Sequence, residues 1–203
     1  VFLQSSTAVA VFVSNFVAKG GLIAATGLAI LLGADVGSAL VTQLLVVRQP
    51  FLIPLFILIG VVLFVRGQDS TRQIGRMFIG LALIFVSLDM IRLATGPMVT
   101  NPGTQIVMEY LSRDLVTAFL IGAAFAWVVQ SSVASVLLFV TLAAQGILPP
   151  GAAAAMILGA NLGGAFIAYV LTESEPLTVR HTIVANLVLR GGGAITATVL
   201  VSK

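Results

Sequence analysis

The chain has 203 residues, 59% of them hydrophobic and only 8% charged, with a mean hydropathy of +1.16 and a formal net charge of +3. No Asp, Glu, Lys or Arg occurs between Leu115 and Thr172, and since a bilayer span takes about 20 residues, this stretch enters the membrane more than once. The lack of cysteine excludes disulfides and thiolate metal sites, one histidine excludes a His cluster, and the ten Lys and Arg lie scattered without the dense stripe a nucleic-acid binder needs. The apolar runs are continuous and rich in Leu, Ala, Gly and Val rather than alternating, so the fold class is all-α integral membrane and not an outer-membrane barrel.

In chain order, Val1 opens within an apolar run with no basic leader, and residues 5–18 read as a helix too short to span, ended by Lys19-Gly20-Gly21. Residues 22–47 are long enough to cross and end at Arg48-Gln49-Pro50; residues 51–65 form a short crossing. The most polar segment runs from Arg66 to Gln73, and residues 74–94 span again. Residues 95–112, with Gly96-Pro97 and Asn101-Pro102-Gly103, read as a loop carrying a short surface helix near 107–111. Residues 115–129 and 133–145 flank Gln130-Ser131-Ser132, and both are too short to cross, so they read as the arms of a re-entrant hairpin. After Pro149-Pro150-Gly151 come a span over 152–171, a loop over 173–178 and a last span from about Arg180 to Val201.

Two polar motifs recur in register. Gln4-Ser5-Ser6-Thr7 is answered by Gln130-Ser131-Ser132-Val133, and Gly33-Ala34-Asp35-Val36-Gly37 by Gly159-Ala160-Asn161-Leu162-Gly163, both at an offset of 126 residues and with 29 residues from Gln to Gly in each copy. Such registration marks an internal duplication. Residues 1–73 are the first repeat, lacking its N-terminal helices, and residues 74–203 the second; residues 5–18 are then the return arm of a hairpin whose first arm lies upstream of Val1. Three crossings separate the hairpins, so they enter from opposite faces. The architecture expected is an inverted-topology repeat with re-entrant helical hairpins and discontinuous transmembrane helices, forming one transport domain. Three arginines in the short 66–76 connection favour a cytoplasmic placement for that loop.

The motifs suit small ions. Half-helix N-termini offer N–H groups to an anion, while hydroxyls and the carbonyls of unwound backbone suit sodium. A single Ser-Ser pair in a membrane helix ordinarily just bonds the preceding carbonyls, but two registered copies point to a site. The paired glycines allow local unwinding or close helix packing. Asp35 brings a carboxylate to membrane depth, where it acts as a cation ligand or proton carrier. Arg190 falls in the middle of the last span and has to face the protein interior, either paired with Asp35 or along an anion path. Asp89 and Arg92 are interfacial, His181 is a helix-boundary residue, and Trp127 and Tyr169 are packing or interface aromatics.

On these residues the chain resembles the sodium-dependent phosphate cotransporter family, the type II cotransporters and their bacterial relatives, over nearly its whole length. The family's pattern is a duplicated Gln-Ser-Ser hairpin tip followed by Gly-Ala-Asn-x-Gly-Thr. The resemblance implies sodium-coupled symport of inorganic phosphate in a multi-pass cell-membrane protein of the bacterial inner-membrane kind, with no cofactor beyond the coupling sodium and with the lipid bilayer and further copies of itself as partners. It implies substrate contacts from Gln4, Ser5, Ser6, Thr7, Gln130, Ser131 and Ser132. Sodium would be held by Gln4, Ser6, Asp35, Ser38, Gln130, Ser132 and Asn161, with Gly33, Gly37, Gly159 and Gly163 as motif glycines. The chain departs from the pattern at Thr7 and Val133, where the third serine stands, at Asp35, where Asn stands, and at Ser38-Ala39 and Gly164-Ala165, where threonines follow; its last helix reads Asn186-Leu187-Val188-Leu189-Arg190 in place of a His followed by Phe-Asn. The alternatives are a symporter for another small anion or one driven by protons, and a scaffold whose small residues only pack helices. A serine hydrolase lacks a general base near either Gln-Ser-Ser.

Overall fold

Apolar segments with no polar neighbour to satisfy their backbone must do so internally, and among the described residues they do it as helices throughout. The computed structural model describes residues 6–46 and 51–201; Gln4, Ser5, Arg48 and Lys203 lie outside them. The helices are α1 (Ser6–Ala18), α2 (Ala24–Val46), α3 (Leu52–Arg66), α4 (Asp69–Thr95), α5 (Pro102–Arg113), α6 (Leu115–Val129), α7 (Ser132–Ala144), α8 (Pro150–Leu171) and α9 (Leu177–Val201), with a 3-10 turn at Gly96–Met98. α2, α4, α8 and α9 are each long and apolar enough to cross a membrane, and large apolar side chains such as Phe12, Phe16, Val65, Leu93 and Leu200 stand exposed on the surface. Exposed apolar area on this scale belongs against lipid. The chain is an all-α membrane protein.

The helices expected from the sequence stand, with two corrections. The polar segment over 66–73 is not an extended connection: only Gly67 and Gln68 leave the helical conformation, and α4 begins at Asp69. Its polar first turns are fastened to α3, where Arg72 and Arg76 lie 5.5 and 5.6 Å from the Phe64 ring centroid, so cation–π contact and the close approach of Gly60 to Gly75 extend the helix through charged sequence. Residues 95–112 are likewise not a loop. Asn101 accepts hydrogen bonds from the Gly103 and Thr104 amides, Pro102 takes the first helical position, and a full helix, α5, follows. α5 and α6 meet at 108° across Asp114, which caps α6 by accepting from the Val116 and Thr117 amides and the Thr117 hydroxyl. The Thr117 hydroxyl and amide hold the Asp114 carboxyl below the usual carboxylate range.

α6 and α7 are two short helices broken at Gln130, which takes the left-handed conformation with φ 56°. That break falls at the Gln-Ser-Ser tip. The glycine motifs, in contrast, are not unwound: α2 runs unbroken through Gly33–Gly37 and α8 through Gly159–Gly163. In α8 the glycines serve close approach. A Cβ on Gly159 would meet the Phe119 carbonyl, one on Gly163 the Ala123 carbonyl, and one on Gly122 the Met156 backbone, so α6 and α8 pack backbone to backbone in the most extensive helix contact of the fold. Gly33 has nothing within 4 Å, and no described residue packs there in that way. α1 and α2 close against α8 and α9 through Val13, Val17, Leu31, Ala168, Val179 and Ile183. Residues from both motif copies therefore share one interior.

Candidate functional site

The site is built from the middle of three long helices and the first residues of two short ones. α2 delivers Asp35, α8 Asn161 and α9 Arg190; α1 starts at Ser6 and α7 at Ser132. Arg190 is the centre. Its Nη1 donates to Asp35 Oδ1 at 2.7 Å, and its Nη2 donates to Asn161 Oδ1. The pair is nearly dry, with 7% of the Arg190 side chain and 15% of the Asp35 side chain exposed, so each charge depends on the other in place of water. The Ser6 hydroxyl lies close to the Asp35 carboxylate. Gly164 holds Ser132 to the same place: a Cβ there would lie 3.1 Å from Ser132 Oγ and 3.7 Å from Arg190 Nη2.

Asp35 and Asn161 occupy the same position in the two motif copies, as do Ser6 and Ser132. One guanidinium thus gathers Asp35 and Asn161 from the two copies of the second motif, with Ser6 near Asp35 and Ser132 across Gly164 from the guanidinium. It has no counterpart of its own, since the residue 126 positions before Arg190 is Phe64, in α3.

The remaining expected residues divide. Ser131 caps α7 by accepting from the Ala134 amide at 3.2 Å. Ser38 donates to the Asp35 carbonyl at 2.9 Å, satisfying its hydroxyl within the helix. Thr7 is half-buried in the first turn of α1. Gln130 is exposed and lines a shallow cavity with Trp127, Val128, Ile167, Val170 and Leu171. Asp89 pairs with Arg92 at 3.1 Å near the end of α4, and His181 is exposed at the start of α9.

Three buried side-chain atoms of Asp35, Arg190 and Asn186 have no hydrogen-bond partner: Asp35 Oδ2, Arg190 Nε and Asn186 Oδ1. Asn186 lies one turn before Arg190 on the same face of α9 and is 4% exposed. It is the site residue that motif reasoning overlooks. The signal available was the spacing of four between Thr182, Asn186 and Arg190, a polar stripe along an otherwise apolar helix. No group of three or more His, Cys, Asp or Glu suited to a metal occurs among the described residues. Oxygen donors for a hard monovalent cation are present in Asp35, Asn186 and the Ser6 hydroxyl.

Ionisable groups buried at the middle of membrane helices are costly and ordinarily mark functional positions. The family comparison agrees: the model for the Na+/Pi-cotransporter family matches residues 1–92 and 98–202, and the chain belongs to that family. It is 38% identical over 194 residues to a protein of Escherichia coli strain K12 named "Putative inorganic phosphate export protein YjbB", a match covering 95% of this chain and 36% of the relative. The Salmonella typhimurium protein of that name is 37% identical with the same coverage, and the uncharacterized YqeW of Bacillus subtilis is 26% identical, covering 92% of this chain and 61% of the relative. The chain therefore spans little more than a third of the length of the YjbB relatives it matches. No solved structure matches it. With its apolar helices and bacterial relatives, the chain is a multi-pass protein of the bacterial cell membrane.

Proposed function

We propose that the chain forms the core of a sodium-coupled symporter of inorganic phosphate, working by alternating access between two inverted repeats, residues 1–73 and 74–203. The observation that carries this reading is the meeting of Asp35 and Asn161 on Arg190, with Ser6 and Ser132 beside it. Two copies of a motif that only packed helices would have no reason to share a guanidinium. A planar donor fork with hydroxyls and a helix start around it is suited to a tetrahedral oxyanion. In this reading Ser6, Ser131 and Ser132 contact the phosphate, as do Gln4, Ser5, Thr7 and Gln130 from the hairpin tips, and sodium is held by Asp35, Asn161, Ser38 and the tip residues Gln4, Ser6, Gln130 and Ser132. Membership in the cotransporter family and the phosphate-export names of the YjbB relatives favour phosphate as the anion.

The test is flux of labelled phosphate in liposomes holding the full chain, measured in both directions with sodium or choline as the cation. Phosphate is expected to accumulate against its gradient when a sodium gradient is imposed, and Ser132→Ala is expected to slow the flux at least about tenfold, the loss of a hydrogen bond to a charged group being about 1.5–3 kcal/mol. Accumulation of another anion in preference to phosphate, or phosphate movement driven equally in choline by a proton gradient, would replace this reading by one of its rivals. An unaffected Ser132→Ala chain would favour the packing scaffold.

A further inference from the structure

We propose that Asp35 is a resident substitute for the transported anion: it occupies Arg190 while the site is empty, is displaced when phosphate arrives, and must then take up a sodium ion. The inference rests on the phosphate-transport reading and adds to it a physical cause for coupling.

The geometry supplies the exchange. Arg190 offers its Nη1 and Nη2 to Asp35 and Asn161, side by side, and this is the same two-pronged edge a guanidinium presents to a phosphate. An oxyanion arriving there competes with the carboxylate for the same donors. The neutral Asn161 amide can turn aside at little electrostatic cost, but Asp35 cannot. α1, α6, α7 and α8 carry no Asp, Glu, Lys, Arg or His, α2 carries only Asp35, and α9 adds only Arg180 and His181 near its first turn. No second cation of these helices stands in the interior to receive the displaced carboxylate. An unpaired buried carboxylate is strongly disfavoured, so the anion binds well only together with a cation.

The unpartnered atoms carry the matching signs. Arg190 Nε is a buried donor without an acceptor, while Asp35 Oδ2 and Asn186 Oδ1 are buried acceptors without a donor. Buried polar groups are ordinarily satisfied. A phosphate oxygen satisfies the first, and a sodium ion, which takes oxygen ligands, satisfies the other two with the help of the Ser6 hydroxyl. By reciprocity, whatever factor sodium adds to phosphate affinity, phosphate adds to sodium affinity.

The experiment is equilibrium binding of labelled inorganic phosphate to the purified full chain at one fixed pH, in sodium and in choline, for three proteins. The unsubstituted chain is expected to bind phosphate about tenfold or more tightly in sodium, within the usual range for coupled sites. Asp35→Asn, with no resident anion, is expected to bind more tightly in choline than the unsubstituted chain and to lose the sodium effect. Asn161→Asp, with a second resident anion, is expected to bind more weakly in choline and to depend more steeply on sodium. The two variants thus shift in opposite directions, a pattern that general loss of folding cannot produce. If both shift the same way, or Asp35→Asn keeps the sodium effect of the unsubstituted chain, the exchange is wrong while phosphate binding stands. If the unsubstituted chain binds no phosphate in either salt, the transport reading fails and takes the exchange with it.

Discussion

Asp35→Ala is expected to destabilise the protein by about 3–5 kcal/mol, because removing one partner of a buried ion pair leaves the other charge stranded. Arg190 is 9% exposed and its Nη1 has Asp35 as its acceptor, so the guanidinium would be held in the interior with the Asn161 amide as its remaining partner. Asp35→Asn should cost less, since an amide oxygen still accepts from Nη1 and the equivalent place in the second motif already holds Asn161. Replacing both charges, with Asp35→Asn and Arg190→Met, should recover most of the loss, as apolar replacement of a whole buried pair is often neutral. Thermal unfolding in detergent, followed by the fluorescence of the single tryptophan, Trp127, ranks the three. Equal melting of Asp35→Ala and the unsubstituted chain would mean that water reaches the pair freely.

The second large effect is expected at the α6–α8 seam. Gly159→Ala should cost about 1–3 kcal/mol, the usual range for overpacking, because the new methyl has to displace the Phe119 carbonyl, a rigid backbone group, rather than a side chain that can turn. Gly80→Ala, in the middle of α4 with nothing within 4 Å of its Cβ position, should change stability by less than about 1 kcal/mol and in the favourable direction, as alanine is the better helix former. The two substitutions make the same chemical change, so the difference in melting isolates the packing. If Gly159→Ala melts no lower than Gly80→Ala, α6 and α8 do not sit backbone to backbone.

The helices were legible because a bilayer leaves the backbone no other way to satisfy itself, and the ends of α6, α8 and α9 fall close to where polar punctuation put them. α5 and the start of α4 were not legible from hydropathy. Their helicity comes from the Asn101 cap and from Arg72 and Arg76 packing on Phe64, which are local contacts invisible to an apolar-run reading. Asp35 and Arg190 announced themselves as charges at membrane depth, and their pairing was one of two roles the sequence left open for Arg190. That Asn161 shares the same guanidinium was not foreseeable, because nothing in the spacing tells which face of α8 meets α9. The glycine motif was ambiguous between unwinding and packing, and α8 resolves it by packing against α6. Asn186 carries no motif of its own, being a lone amide in a helix; only the four-residue spacing to Arg190 marks it.

If both Gln-Ser-Ser copies face one ion site, single thiols placed at Ser6 and Ser132 report it directly, because the sequence contains no cysteine. Ser6→Cys and Ser132→Cys, each a near-isosteric change introducing the only thiol, would be reacted with a charged methanethiosulfonate reagent in liposomes that carry labelled phosphate. Phosphate and sodium added together are expected to slow the labelling of both thiols, and sulfate with choline to slow neither. If, in chains that still carry phosphate, only one of the two thiols is protected or neither is, the two motifs do not belong to a single site and the account is contradicted.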